Sequence, residues 1–139
     1  MFIHFSKSVS FNWTSNGSYG EDCRIGGIRI DPPQTIADNY LEMLQMVNEA
    51  NMNQDELEEN EGLKVMVNDW PHWIPIISFM NGDAFCINKK NNSFDVVFLE
   101  HDVMDGGPYI HGLQVASNVE DLLNRWSQIG FVEVNDWSE

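Results

Sequence analysis

The spacing of apolar and polar positions changes period several times along this chain, and each change predicts an element. Ser8-Val9-Ser10-Phe11-Asn12-Trp13 alternates strictly, the period-two pattern of a half-buried strand. Gly, Ser and Asn dominate from Thr14 to Asp22, which reads as a loop or hairpin connection. Cys23 to Ile30 resumes a strand, in which Gly26-Gly27 predicts a bulge or a close backbone approach. Pro32-Pro33 ends it. The period then lengthens: Ile36, Tyr40, Met43, Leu44 and Val47 fall on one helical face, with Thr35 and Asp38 spaced like a capping box. Asn53 with Glu56 predicts a cap for a second, short helix around Leu57.

After Gly62 the pattern reads as β. Leu63 to Val67, Ile74 to Phe79, Ala84 to Asn88 and Phe94 to Glu100 are the predicted strands, with Gly112 to Ala116 as one more. Asn81-Gly82-Asp83 between two apolar runs predicts a hairpin turn of type I′, which needs positive φ at both central residues. Lys89-Lys90-Asn91-Asn92 is a polar loop. Asn118 is placed to cap a last helix with Asp121 in its first turn. Val119, Leu122, Leu123, Trp126 and Ile129 recur there at helical spacing, and Gly130 stands at the C′ position. Strands, helix, strands and helix, joined by connections too short for parallel crossovers, predict an α+β fold with a mainly antiparallel central sheet flanked by helices. Its 139 residues suit a single domain.

Charge narrows the function classes. Seven Lys and Arg face 22 Asp and Glu, a formal net charge of −15. Such a surface repels a phosphate backbone, which argues against direct nucleic-acid binding and favours fast, salt-sensitive encounter with a basic partner. No apolar run approaches the roughly 20 residues that span a bilayer. Met1-Phe2-Ile3-His4-Phe5 lacks the basic start and long apolar stretch of a signal peptide, so the chain reads as cytoplasmic. In that compartment Cys23 and Cys86 are expected as reduced, small apolar residues.

Catalytic chemistry has one candidate. His101-Asp102 with Asp105 and His111 offers the imidazoles and carboxylates of a divalent-metal site or an acid–base pair, as a small metal-dependent hydrolase would use. Gly106-Gly107-Pro108 beside them argues instead for a turn at the end of the sheet, and His4 and His72 are distant in sequence. No phosphate-binding Gly-rich loop, nucleophile elbow or C-x-x-C pair is present. The expectation is therefore no catalytic residue, no metal and no cofactor. Asp55, Glu56, Glu58, Glu59 and Glu61 read either as a solvated helix face or as a contact patch. Trp70 and Trp73 read as packing or as partner contacts.

Taken in order, Trp70-Pro71, a short strand, Asn81-Gly82-Asp83, a second strand, Val96-Val97-Phe98-Leu99-Glu100-His101-Asp102 and a closing helix from Val119 to Ile129 form a recognisable series. From Trp70 to about Phe131 the chain resembles the SUKH superfamily, which includes the yeast cell-wall synthesis regulator and many bacterial toxin-immunity proteins. The start departs from the family's pattern: only Phe2 to Lys7 could represent the tail of its first amphipathic helix, so the N-terminal helical part is expected to be shortened or divergent. The resemblance implies a SUKH-like domain that binds and neutralises a polymorphic toxin without catalysis. A nuclease is the expected toxin, because a site that holds phosphates is basic and an acidic protein can occlude it. The candidate contacts are Asp55, Glu56, Glu58, Glu59, Trp73, Asp102 and Asp105. The fungal members imply a different reading, an intracellular regulator or scaffold.

Overall fold

In the computed structural model, which describes residues 7–14, 24–103 and 109–129, every described strand pairs with its neighbour in sequence. The strands are β1 Val9–Thr14, β2 Arg24–Ile30, β3 Trp73–Phe79, β4 Ala84–Asn88, β5 Val96–Leu99 and β6 Gln114–Ala116. They form one antiparallel sheet in the order β1-β2-β3-β4-β5-β6. Three helices, α1 Pro33–Met52, α2 Gln54–Glu59 and α3 Glu61–Asp69, fill the connection from β2 to β3, and α4 Val119–Gln128 follows β6. The α+β reading with a flanked antiparallel sheet holds.

Strand alternation sorts the core into two layers. Phe85, Val96 and Phe98 face Leu122 and Trp126 of α4, with Ile77 and Phe79 alongside. Ala84, Cys86, Val97 and Leu99 face the other way, against Met43 of α1 and the indoles of Trp70 and Trp73. The sheet is thus covered on both faces, which is why β4 and β5 carry almost no polar residue. Phe79, Phe85 and Trp126 meet edge to face, with ring centroids 5.0 Å apart for Phe79–Phe85 and 5.1 Å for Phe85–Trp126. Cys86 is a fully buried free thiol whose pKa burial pushes up, so it packs as a small apolar residue. Cys23 lies outside the described residues.

Ile36, Tyr40, Met43, Leu44 and Val47 do form the inward face of α1. Its start differs from the capping box expected at Thr35 and Asp38: Pro33 occupies the first turn and no side chain caps it. Proline there loses no useful N–H and presets the helical φ. Asn53 precedes α2 without a side-chain cap, whereas Asn118 caps α4 by accepting from the Asp121 N–H at 2.8 Å. Leu123 and Ile129 of the predicted α4 face are exposed, and Gly130 lies outside the described residues.

Two expectations are corrected. Leu63 to Val67 is part of α3 and not a strand. Its short run mimics alternation, but Asn60 caps the helix by accepting from the Leu63 N–H at 3.0 Å, and Glu61 pairs with Lys64 at 3.7 Å one turn on. The β3–β4 turn is also longer than a two-residue type I′ turn. Phe79 and Asp83 close a loop of Met80, Asn81 and Gly82, with Phe79 N–H to Asp83 O at 2.9 Å and Gly82 N–H to Phe79 O at 3.2 Å. Only Gly82 has positive φ, at 100°, as in a type I turn closed by a left-handed residue.

The irregularities fall where the sequence tolerates them. Trp13 pairs with Gly26 and Thr14 with Arg24, which leaves Ile25 as the bulged residue beside the predicted Gly26-Gly27. Pro75 lies beyond the β2 pairing, which ends at Ile30↔Ile77, so its missing N–H breaks no bond to β2.

Candidate partner-binding face

The β3–β4 turn and the exit of β5 are tied together at one end of the sheet. Asp83, only 5% exposed, holds both. Its Oδ1 accepts the His101 backbone N–H at 3.0 Å and lies 2.8 Å from His101 Nδ1, while Oδ2 accepts from Asn81 Nδ2 at 2.6 Å. Asn81 Oδ1 in turn accepts the Asp83 N–H at 3.1 Å. Gly82 is required twice over: its φ is left-handed, and a Cβ there would lie 3.0 Å from the His101 ring. Asn81-Gly82-Asp83 and Glu100-His101-Asp102 are therefore one lock.

That lock holds Glu100 to Val103 across the start of α3. The approach is so close that a Cβ on Gly62 would stand 2.6 Å from the Val103 carbonyl oxygen. Between the two segments lies a cleft of about 200 Å³, with Leu63, Met66 and Trp70 on one wall and Asn60, Glu100 and Asp102 among its polar groups. Asp102 is exposed at its edge. Asn60 directly follows α2, on which Asp55, Glu56, Glu58 and Glu59 are all exposed while Leu57 is half-buried. The fold thus brings Asp102 to the cleft beside Asn60, at the α2–α3 junction. Asp105 lies outside the described residues.

Of the two readings of Trp73, the structure bears out packing and not the partner contact. Trp73 is 6% exposed and packs with Met43, Ala84, Cys86 and Val97. The first residue of β3 points under the helical layer, and His111 covers its ring at a centroid distance of 4.6 Å. Trp70, half-buried, lines the cleft wall instead.

The two histidines serve separate structural posts. His101 answers to Asp83. The His111 side chain, 2% exposed, has Nδ1 at 3.1 Å from the Glu100 N–H and Nε2 at 3.4 Å from Asp69 Oδ2, an ion-pair distance without a well-directed hydrogen bond. Nδ1 also lies 3.2 Å from the Glu100 carbonyl oxygen, so the ring accepts from or donates to the backbone of Glu100 according to its tautomer. Burial lowers its pKa below the usual 6.5, and the carboxylates of Asp69 and Glu100 oppose that shift. Among the described residues no group of three or more His, Cys, Asp or Glu side chains could hold a metal ion. Asn81-Gly82-Asp83 is legible in the sequence as a turn and as part of the family resemblance, whereas the bonds from Asp83 to His101 and the cap at Asn60 are not.

One antiparallel sheet covered on both faces defines a small α+β domain. The chain belongs to the SMI1 / KNR4 family (SUKH-1), whose model matches residues 9–125. The match takes in β1 to α3 as well as the later segments that carried the resemblance. No curated protein and no solved structure matches the chain. No described helix is long and apolar enough to cross a membrane.

Proposed function

We propose that this protein is a non-enzymatic immunity protein that binds a basic toxin domain, a nuclease, and blocks it by covering its phosphate-binding surface. The observation that carries this reading is the net charge of −15 in a SUKH-1 chain, with Asp102 at the cleft beside Asn60 and the exposed carboxylates of α2 just before Asn60 in the chain. Asp55, Glu56, Glu58, Glu59 and Asp102 are its contacts, with Asp105 in the adjoining segment. Complementary charge of this kind raises association rates from about 10⁵–10⁶ to as much as 10⁸–10⁹ M⁻¹s⁻¹ at low salt. An immunity protein gains from speed, because the toxin must be captured before it acts. The complex forms in the cytoplasm, by protein–protein contact alone, without cofactor or nucleic acid.

The test is to co-express this protein with the toxin domain of a polymorphic toxin gene sought immediately beside its own; a neighbourhood without such a gene counts against the proposal. The protein should restore growth and co-purify with the toxin domain at low salt. Equal killing with and without it, together with no complex at low salt, contradicts the proposal.

A further inference from the structure

The helix α3 is one that its own chain does not finish covering. It carries Leu63, Val65, Met66 and Val67, yet none of its nine residues is fully buried. Three of those apolar side chains, with the half-buried Trp70, line the cleft that faces Glu100 to Val103. At about 200 Å³ the cleft is smaller than the roughly 300–1,000 Å³ of small-molecule sites and suits a single long side chain.

The polar groups that line this cleft are rich in acceptors. Glu100 and Asp102 supply two carboxylates. Glu100 uses Oε2 to accept the Ile110 N–H at 2.9 Å, and Asp102 is exposed at the edge. His101 also lines the cleft; its Nδ1 donates to the Asp83 carboxylate, so the neutral ring keeps Nε2 as an acceptor. The ion pairs of the described Lys and Arg side chains join Arg29 to Asp31, Lys64 to Glu61 and Arg125 to Asp121, and none reaches Glu100 or Asp102. Nor do these acceptors make a metal site, since among the described residues no three His, Cys, Asp or Glu side chains are placed to hold an ion.

Acceptors beside an apolar and aromatic wall match a cation of another shape. A guanidinium is planar, offers five N–H donors, is weakly hydrated and stacks on aromatic faces, while its methylene stem packs on apolar surface. The lysine ammonium is compact and strongly hydrated, and gains less from such a wall.

We infer that this cleft receives one arginine side chain of the toxin, with the stem along Leu63 and Met66 and the guanidinium between Trp70 and the carboxylates of Glu100 and Asp102. The inference rests on the toxin-binding reading for the source of the arginine, and it names the group and the place. Arginine suits a phosphate-binding surface because its fork matches phosphate oxygens in pairs. An arginine seated in the cleft is withdrawn from that task. The walls are already in place: Asp83 holds His101, Asn60 caps α3, and Gly62 lets Val103 approach the helix. Little ordering therefore opposes binding.

The experiment records ¹H–¹⁵N NMR spectra of the full chain titrated with Nα-acetyl-arginine amide and, separately, with Nα-acetyl-lysine amide. The arginine compound should shift the Trp70 indole and the Gly62 amide saturably, and the lysine compound should bind several-fold more weakly. The double variant Glu100→Gln, Asp102→Asn should keep its fold, since the Gln carbonyl still accepts the Ile110 N–H, and should bind the arginine compound about fivefold more weakly. Equal affinity for the two compounds would reduce the effect to attraction by a chain of −15 and overturn the cleft. An unmoved Trp70 indole, or undiminished binding by the double variant, would overturn it as well. This titration needs no toxin, so its failure and the failure of the toxin reading are separate results. A cleft that seats arginine in a protein that binds no neighbouring toxin domain overturns the toxin as its source. A toxin complex from which the double variant dissociates at the wild-type rate overturns the cleft as the place of contact.

Discussion

Asp83 and His101 stand 18 residues apart, and one carboxylate oxygen of Asp83 meets both the backbone N–H and the ring Nδ1 of His101. This contact joins the β3–β4 turn to the segment that walls the cleft at α3. Asp83 is nearly buried whereas the His101 ring is 44% exposed, so the two partners are not equally important.

Asp83→Ala should cost about 2 kcal/mol, because it removes the buried carboxylate that accepts from both the His101 N–H and the Asn81 amide. His101→Ala should cost less, about 1 kcal/mol, since the backbone bond to Asp83 survives and the lost ring contact is half in solvent. Urea unfolding of both variants checks the order. Equal losses would mean that the ring contact, not the buried carboxylate, holds this end.

Trp126→Ala should destabilise by about 3–5 kcal/mol, the usual cost of deleting a large buried aromatic side chain. Trp126 is the indole of α4 that meets Phe79 and Phe85, so near-ultraviolet dichroism should weaken along with stability. A loss below about 1 kcal/mol would show that α4 does not depend on this residue to cover its face.

His111 should make stability fall with acid. Its pKa is lowered in the folded protein by burial, so below about pH 6.5 the unfolded chain takes up a proton that the folded chain resists. Above that pH the residue is neutral in both states and contributes no slope. Stability should therefore drop as pH falls from about 7 through 6.5 and below, until the folded ring itself protonates. His111→Gln should show a shallower slope between pH 7 and pH 5.5 than wild type. Identical slopes would mean that Asp69 and Glu100 cancel the cost of burial.

Most of the sheet is legible in the sequence because short, continuous apolar runs such as Val96-Val97-Phe98-Leu99 and Ala84-Phe85-Cys86-Ile87 are bounded by turn residues. Leu63 to Val67 is not, since five residues fit either period and the decision falls to the Asn60 cap outside the run. The hairpin at Asn81-Gly82 is legible as a turn, but its three-residue length depends on the Asp83 bonds. The acidic candidates are legible as residues. The place of Asp102 is not: it lines the cleft beside Asn60 because Asp83 pins His101 and Gly62 lets Val103 approach α3. Trp73 and Trp70 look alike in sequence, and only the direction of β3 buries the former and places the latter in the cleft wall.

The most direct test of the account is the salt dependence of the association rate with the neighbouring toxin domain. It compares wild type with a variant carrying Asp55→Lys, Glu56→Lys, Glu58→Lys, Glu59→Lys and Asp102→Lys. All five residues are exposed, so the variant should keep its fold and melt cooperatively. The wild-type rate should fall steeply as salt rises over a range that shortens the Debye length from about 30 Å to 8 Å. The variant should associate at least about tenfold more slowly at low salt, with a nearly flat salt response. Equal rates and equal salt slopes for the two proteins would contradict the claim that this acidic region meets the toxin.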